Sequence, residues 1–150
     1  MITIVDYGLG NVKAYMTIYK QLGLPSLLAQ DTNNLLKASK LILPGVGAFD
    51  WAIQRLQSSG MREALYYLVL EKQVPVMGVC IGMQMMADHS EEGDQPGLCW
   101  IKGNVKRLDS SISSVKTPLP HMGWNDVDFK TPLHPLFNNI NDPRFYFLHS

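Results

Sequence analysis

One recurrent order of segments constrains the fold of this chain most: a short apolar run, then a turn that contains glycine or cysteine, then a helical pattern. Apolar runs occupy residues 2–5, 41–43 and 74–79, and a weaker one occupies 26–29. Parallel strands need a crossover connection, usually a helix, and are covered on both faces of their sheet. The sequence therefore predicts an α/β fold, with a mostly parallel sheet flanked by helices.

The first predicted helix has the clearest boundaries. Asn11 is a favourable N-cap, apolar residues then recur every three or four positions, and Gly23 suits the position after the C-cap. The same spacing predicts further helices at 33–39, 51–56 and 61–72. These segments lie between the predicted strands, where crossover connections are expected.

The second half of the chain has a different texture. Residues 88–97 are polar, 104–108 alternate between apolar and polar, and 110–120 form a connector rich in Ser, Thr and Pro. The aromatic run at 145–150 has the composition of a strand interior. We therefore expect added β-structure in this half, within one domain that covers residues 1–150.

Composition excludes several classes of protein. Lys and Arg together number 13, as do Asp and Glu, so the formal net charge is zero and nucleic acid is not an expected partner. The chain is 46% hydrophobic and 17% charged, which is too apolar for a disordered protein. No apolar run is long enough to span a membrane, and the first residues lack a signal-peptide pattern. We expect a cytoplasmic protein whose Cys80 and Cys99 are free thiols.

The strongest chemical motif is the segment Gly78-Val79-Cys80-Ile81-Gly82. A nucleophile flanked at two residues on either side by glycine, between a strand and a helix, is typical of a nucleophile elbow. Such a turn exposes the sulfur and directs helix-terminal N–H groups towards it, which favours the thiolate and an oxyanion. The alternative is a buried core cysteine between two packing glycines, and the short motif alone leaves both open.

A second glycine-containing turn follows the strand at 41–43. This 44–47 loop, Pro44-Gly45-Val46-Gly47, lies at the carboxyl edge of the predicted sheet, where ligands bind in such folds. It could turn a backbone N–H towards a ligand oxygen, or it could be only a tight turn. The turn after the first strand lacks the third glycine of a dinucleotide fingerprint, since Lys13 stands there. No cofactor is predicted.

The four histidines give no clear partner for Cys80. His89 and His134 lie in polar segments and are expected to be exposed, and spacing alone does not orient His121 or His149. No combination of histidine, cysteine and carboxylate has the spacing of a metal site. We therefore predict no metal centre and leave the general base open.

Five segments, taken together, form a more specific pattern than any one of them. They are Asp6-Tyr7-Gly8-x-Gly10-Asn11, Pro44-Gly45-Val46-Gly47-x-Phe49, Gly78-Val79-Cys80-x-Gly82-Met83-Gln84, Pro120-His121-Met122-Gly123-Trp124-Asn125 and Tyr146-Phe147-x-His149-Ser150. In this order they resemble the class I (triad) glutamine amidotransferases. Within that class the Pro-His-Met-Gly-Trp-Asn segment is similar to the glutaminase subunits of imidazole glycerol phosphate synthase. The resemblance implies the flavodoxin-like fold of the class.

The resemblance also implies roles for individual residues. Cys80 would attack the side-chain amide of L-glutamine to give a thioester, and backbone groups of Gly47 and Ile81 would serve the oxyanion. The substrate-binding residues would be Gln84, Ser150 and Gly45. Ammonia would pass to a (β/α)8-barrel synthase subunit, and that partner would switch glutaminase activity on through the 44–47 loop. Residues near the subunit interface would be Asn11, Phe49, Met122, Trp124 and Asn125.

Two alternatives to this function remain from the sequence. A homologous glutaminase subunit could feed another acceptor, in the amidation of surface sugars or in pyridoxal phosphate synthesis. A non-catalytic subunit could retain Cys80 for packing alone and only dock a partner.

The sequence departs from the family pattern in one respect. The histidine and glutamate of the family's triad belong to a Phe-His-Pro-Glu segment, and none of the four histidines here stands in such a segment. We expect that the chain is truncated at its C-terminus and that these 150 residues alone do not turn over glutamine. A coupled assay for ammonia checks this expectation. Ammonia release that Cys80→Ala abolishes would contradict it.

Overall fold

The computed structural model of the chain describes residues 1–109, 119–129 and 134–150. The chain divides into two compact units, Met1–Lys106 and Arg107–Ser150, and each is described by itself. Among the described residues no helix has the length and apolar character that a membrane crossing needs.

The first unit is built on a four-stranded parallel sheet with the strand order β2-β1-β3-β4. Its strands are β1 (Ile2–Val5), β2 (Ser26–Ala29), β3 (Lys40–Leu43) and β4 (Val76–Gly78). All three pairings are parallel, as the alternation of strands and helices predicts. The predicted α/β fold with a parallel sheet is confirmed.

The last strand of this sheet is shorter than the predicted run at 74–79. Proline has no N–H to donate to a ladder, and Pro75 contributes only its carbonyl, which accepts from the Leu41 N–H at 2.8 Å. The Val74 N–H instead donates to the Leu68 carbonyl, which lies within the preceding helical segment. Residues 74 and 75 therefore belong to the connection, and β4 begins at Val76.

The helices and the remaining strands of the first unit follow in order. They are α1 (Val12–Gln21), α2 (Thr32–Leu35), α3 (Phe49–Ser58), α4 (Arg62–Tyr66), a π-helical continuation (Tyr67–Glu71), α5 (Ile81–Gln84), and the paired strands β5 (His89–Ser90) and β6 (Asn104–Val105). The expected strand at 104–108 is thus only two residues long.

Both caps predicted for α1 are confirmed. The Asn11 Oδ1 accepts the Ala14 N–H at 3.2 Å, which satisfies one of the free amides of the first turn. Gly23 has a φ of 67°, and its N–H donates to the Lys20 carbonyl at 3.1 Å. The helix therefore begins and ends where the sequence indicates.

Other helix boundaries differ from the prediction. The helix expected at 33–39 is only Thr32–Leu35, and it begins earlier because the Asp31 carboxylate accepts the Asn34 N–H at 2.8 Å. The helix expected at 61–72 is α-helical only as far as Tyr66. Beyond it the turns widen, as the bond from the Lys72 N–H to the Tyr67 carbonyl at 2.9 Å shows.

The core of the first unit lies between the sheet and the helices. Its fully buried members include side chains from β1, β3, α3, α4 and the segment after α5. The largest of them are Phe49, Leu35, Leu43, Leu56, Met61, Leu65, Met85 and Val5. Among them, Leu43 on β3 and Phe49 on α3 anchor the two elements on either side of the 44–47 loop.

The second unit contains an antiparallel pair of strands, β7 (His121–Asp126) and β8 (Arg144–His149), and a 3-10 turn at Pro135–Phe137. The expected strand character at 145–150 is confirmed over its first five residues. Most of the connector predicted at 110–120 lies outside the described residues.

Thr3 is a buried polar residue in the centre of the parallel sheet. It lies on β1, is 0% exposed, and its hydroxyl has no hydrogen-bond partner in the structure. A buried hydroxyl without a partner costs free energy relative to a methyl group, so Thr3→Val should raise the free energy of unfolding by about 1 kcal/mol. The melting temperature should then rise by about 3 °C, measured by circular dichroism.

Thr32→Val is the matched control for this prediction. The Thr32 hydroxyl lies within 3.5 Å of the Gly60 carbonyl, so its removal should give no gain in stability. A Thr3→Val protein that is no more stable than the starting chain would contradict the prediction.

Candidate active site

Cys80 lies in the turn between β4 and α5, with φ 55° and ψ −122°. A positive φ is strained for a residue with a side chain, and such strain is concentrated at functional sites. The thiol is exposed and unpaired. The strained, open turn that the Gly-x-Cys-x-Gly motif predicts is therefore present, and the alternative of a buried core cysteine is wrong.

The two glycines of the motif are required by close backbone contacts. A Cβ on Gly82 would collide with the carbonyl oxygen of Leu43, at the end of β3. A Cβ on Gly78 would lie 2.5 Å from the Cα of Met83 in α5. Both contacts involve backbone, which does not move aside as a flexible side chain would. The elbow thus requires glycine at both positions.

Backbone hydrogen bonds at the elbow leave the amide that follows Cys80 available. The N–H of Gly82 donates to the Val79 carbonyl at 3.0 Å, and those of Met83 and Gln84 both donate to the Cys80 carbonyl. None of the described backbone hydrogen bonds uses the Ile81 N–H as donor. This amide directly follows the nucleophile, which is the position of an oxyanion donor in a nucleophile elbow.

The helix after the nucleophile is shorter than the motif suggests. The α5 helix covers only four residues, Ile81–Gln84, and turns follow it as far as Asp88. A helix dipole is the sum of its aligned peptide dipoles, so one turn contributes little. The individual Ile81 amide is therefore a better candidate for stabilising an oxyanion than the helix dipole is.

The 44–47 loop packs directly on this elbow. Gly45 is buried, and a Cβ there would collide with the Gly82 nitrogen. Val46 and Gly47 are exposed, and Gly47 has a φ of +89° with open space around it. No described hydrogen bond uses an amide of residues 45–47 as donor. The loop is thus fixed at one end, open at the other, and has amides available for a ligand.

Two tyrosines share the surroundings of Cys80. Burial raises the pKa of the Tyr7 phenol well above its usual value, and the negative charge of a Cys80 thiolate raises it further. The pKa of Tyr15 is raised by burial, then by Cys80 and then by Tyr19. Both phenols therefore stay protonated at neutral pH.

The remaining residues expected at the site in the first unit have varied environments. Gln84 is half-buried on α5. Asn11 is exposed, and its side-chain oxygen already caps α1. Phe49 is 0% exposed and belongs to the core, so only its backbone could face a partner.

In the second unit, the expected interface residues lie on β7. Met122 and Trp124 are exposed, and Trp124 packs edge-on against Tyr146 with 5.7 Å between ring centroids. Asn125 is half-buried, and its Nδ2 contacts the Gly123 carbonyl at 3.3 Å. Ser150 is exposed at the end of β8.

Two of the four histidines are paired with each other, and the other two are exposed. The rings of His121 and His149 are hydrogen-bonded to each other across the strand pair, with 3.0 Å between Nδ1 and Nε2. His89 and His134 are exposed, as expected. The part of the chain that the structure describes contains no group of three or more His, Cys, Asp or Glu close enough to hold a metal ion.

Two residues near the site were not singled out from the sequence. Tyr7 donates a buried hydrogen bond to the Pro44 carbonyl, and the Asp50 carboxylate accepts the N–H groups of Asp94 and Gln95 at 3.0 and 2.9 Å. Asp50 thereby ties the first turn of α3 to a distant loop. An acidic residue in the first turn of a helix is recognisable from the sequence as favourable there. The sequence does not show that the Asp50 carboxylate binds amides 44 and 45 residues away.

Comparisons with known proteins agree with this geometry. The family profile described as "Glutamine amidotransferase class-I" matches residues 3–149. The chain is 50% identical to "Imidazole glycerol phosphate synthase subunit HisH" of Bdellovibrio bacteriovorus and 43% identical to the protein of the same name from Leptospira interrogans. Both alignments cover 100% of this chain and 74% of the relative.

A solved structure described as "Crystal structure of glutamine amidotransferase" has a similar fold. Its TM-score is 0.65 at 18% sequence identity, and the match covers 83% of this chain and 62% of that chain. At this identity the likeness supports the fold alone.

The close contact at Gly82 leads to a stability prediction. Gly82→Ala should lower the free energy of unfolding by about 3 kcal/mol or more, because its Cβ meets the Leu43 carbonyl. Gly60→Ala is the control: φ is +72° there and the space is open, so backbone strain alone should cost about 1 kcal/mol. Urea unfolding measures both. Equal losses in the two variants would contradict the steric explanation.

Proposed function

Because the chain belongs to the class-I glutamine amidotransferases, and within them to the imidazole glycerol phosphate synthase subunit HisH family, we propose that Cys80 is its glutaminase nucleophile. The observation that carries the proposal is the exposed thiol held at a strained positive φ between Gly78 and Gly82. A merely structural cysteine would not need a strained backbone or an open sulfur.

The proposed chemistry begins with attack by the Cys80 sulfur on the side-chain amide carbon of L-glutamine. The carbonyl oxygen becomes an oxyanion, and the C–N bond then breaks to release ammonia and leave a γ-glutamyl thioester. Water hydrolyses the thioester to glutamate and restores the thiol. The proton that ammonia takes up needs a general base and acid, which the resemblance assigns to a Phe-His-Pro-Glu segment not found in these 150 residues.

The oxyanion is proposed to bind two backbone amides. The Ile81 N–H follows the nucleophile and is used by no described backbone hydrogen bond. Gly47 lies in the exposed half of the 44–47 loop with open space around it, and because glycine has no Cβ its backbone can adopt either sign of φ. Preorganised amides of this kind stabilise charge only as it develops in the transition state.

The amino-acid end of glutamine is proposed to contact Gln84, Gly45 and Ser150. Gln84 is half-buried on α5, one turn from the nucleophile, and Gly45 packs on the start of that helix. Only the resemblance to the family assigns Ser150 to the residues that contact glutamine.

The ammonia acceptor is proposed to reside on a (β/α)8-barrel synthase subunit. The relatives are named as subunits of imidazole glycerol phosphate synthase, which accords with a partner in histidine biosynthesis. Exposed apolar side chains of Met122 and Trp124 support a contact surface on the second unit, and the resemblance alone assigns Asn11 and Asn125 to the subunit interface. The cytoplasm is the proposed compartment, since both thiols are unpaired and reducing compartments preserve thiols.

Labelling with an electrophilic glutamine analogue tests the proposed nucleophile. The diazoketone 6-diazo-5-oxo-L-norleucine should alkylate Cys80 at least about tenfold faster than Cys99, because only Cys80 lies where the side chain of glutamine binds. Intact mass and peptide mapping locate the adduct. Excess L-glutamine should slow the reaction, whereas D-glutamine should not.

Two variants complete this test. Cys80→Ala should be labelled only at the slow rate of Cys99, and Cys99→Ala should be labelled as the unaltered chain is. Equal labelling of both cysteines, or labelling that L-glutamine does not slow, would contradict a glutamine site at Cys80.

A further inference from the structure

The 44–47 loop is held at its first residue by a buried tyrosine on another strand-to-helix turn. The Tyr7 hydroxyl donates to the Pro44 carbonyl at 2.7 Å, across 37 residues of sequence. Tyr7 is 2% exposed and packs in the core, and Pro44 is also fully buried. Water does not compete for a hydrogen bond in such surroundings, so the bond fixes the carbonyl firmly.

The geometry of the peptide unit extends this restraint by one residue. The carbonyl of Pro44 and the N–H of Gly45 belong to a single planar peptide and point in opposite directions. Holding the carbonyl therefore also sets the direction of the Gly45 amide and prevents this peptide from rotating. The next residues, Val46 and Gly47, are exposed and lack such a restraint among the described hydrogen bonds.

A second contact restrains the same peptide from another side. A Cβ on Gly10 would lie 2.7 Å from the Cβ of Pro44 and 3.3 Å from the Gly45 nitrogen. The turn after β1 therefore packs against the start of the loop through Gly10 and bonds to it through Tyr7. Gly45 in turn packs on Gly82 at the elbow, so the restraint reaches the surroundings of Cys80.

We propose that Tyr7 is a positioning residue for the oxyanion site, because its hydroxyl fixes the Pro44–Gly45 peptide from which Val46 and Gly47 extend. This inference rests on the proposed function of Cys80 and the 44–47 loop. Tyr7 itself touches neither sulfur nor substrate in this assignment. The raised pKa of its phenol keeps the hydroxyl a hydrogen-bond donor at every pH at which the enzyme would work.

Two reactions of Cys80 separate oxyanion stabilisation from thiol reactivity. With the γ-thiophenyl ester of L-glutamate, the Cys80 thiolate attacks the carbonyl carbon, an oxyanion forms, and thiophenolate leaves as the new thioester forms. One thiolate replaces another, so the step needs no general acid or base. With iodoacetamide, the sulfur displaces iodide from carbon and no oxyanion forms. Only the first reaction should depend on the 44–47 loop.

Tyr7→Phe removes the hydroxyl and leaves the ring in place. Acylation by the thioester should slow about 10-fold to 100-fold while the iodoacetamide rate stays within about twofold, because only the oxyanion amides are displaced. Rapid-quench mass spectrometry of the Cys80 peptide gives both rate constants. Cys80→Ala protein supplies the background of spontaneous thioester loss.

Tyr15→Phe is the matched control. Tyr15 is half-buried where Tyr7 is buried, and like Tyr7 it senses the charge of Cys80, but no described hydrogen bond joins it to the loop. Both of its rate constants should stay within about twofold of the unaltered chain. Gly10→Ala keeps the Tyr7 hydroxyl but crowds Pro44 and strains the turn that carries Tyr7, so it should also slow acylation more than alkylation and provides a second test should Tyr7→Phe fold poorly.

The outcomes distinguish this inference from the proposed function. If the unaltered chain is acylated no faster than Cys80→Ala, the proposed nucleophile fails and this inference fails with it. If the chain is acylated and Tyr7→Phe reacts at the same rate, the nucleophile stands and the positioning role is overturned. Equal slowing of both reactions in Tyr7→Phe would likewise overturn it, because that result indicates a general disturbance of the thiol.

Discussion

The carbonyl group of Leu43, at the end of β3, is the point on which the elbow depends. It accepts the Val79 N–H at 3.0 Å, which extends the pairing of β3 with β4 by one step beyond the last strand residue. It also faces Gly82 so closely that no Cβ fits between them. One backbone group therefore holds both the strand that leads into Cys80 and the helix that leaves it. The position of the sulfur follows from backbone packing more than from any side-chain contact.

This arrangement stores strain at the nucleophile. A non-glycine residue at φ 55° costs on the order of 1 to 3 kcal/mol, and the cost is tolerated only where the surroundings fix the backbone. Here the surroundings are a parallel sheet and a helix in backbone contact, with Met85 and Ile81 buried directly after the turn. The core thus supports a conformation that the local sequence alone would avoid.

Sequence reasoning succeeded where the signal is local. The strands at 2–5, 26–29 and 41–43 were predictable from short apolar runs, and the caps of α1 from Asn11 and Gly23. The ends of two other helices were predicted less well. The change to π-helical turns after Tyr66 is not marked by any change in residue type, and α2 begins at Thr32 because Asp31 caps it, a local signal that the apolar spacing from residue 33 does not include.

The candidate site divides in the same way. Gly-x-Cys-x-Gly has a local steric meaning, so the strained turn at Cys80 was predictable from five residues. The bond from Tyr7 to Pro44 was not predictable, because it joins two turns that only the sheet order β2-β1-β3-β4 brings together. A resemblance to a family names residues, but it does not say which of them act through a side chain and which through the backbone. Phe49 illustrates this, since its ring is entirely in the core.

Strand register sorts the expected interface residues further. Side chains alternate between the faces of a strand, so on β7 Met122 and Trp124 share one face while Asn125 lies on the other. The exposure of the first two and the half-burial of the third follow this alternation. Asn125 also contacts the His121 ring at 3.2 Å, on the face where His121 bonds to His149. Met122 and Trp124 therefore lie on one exposed apolar face of the strand pair, whereas Asn125 contacts the paired imidazoles on the other face.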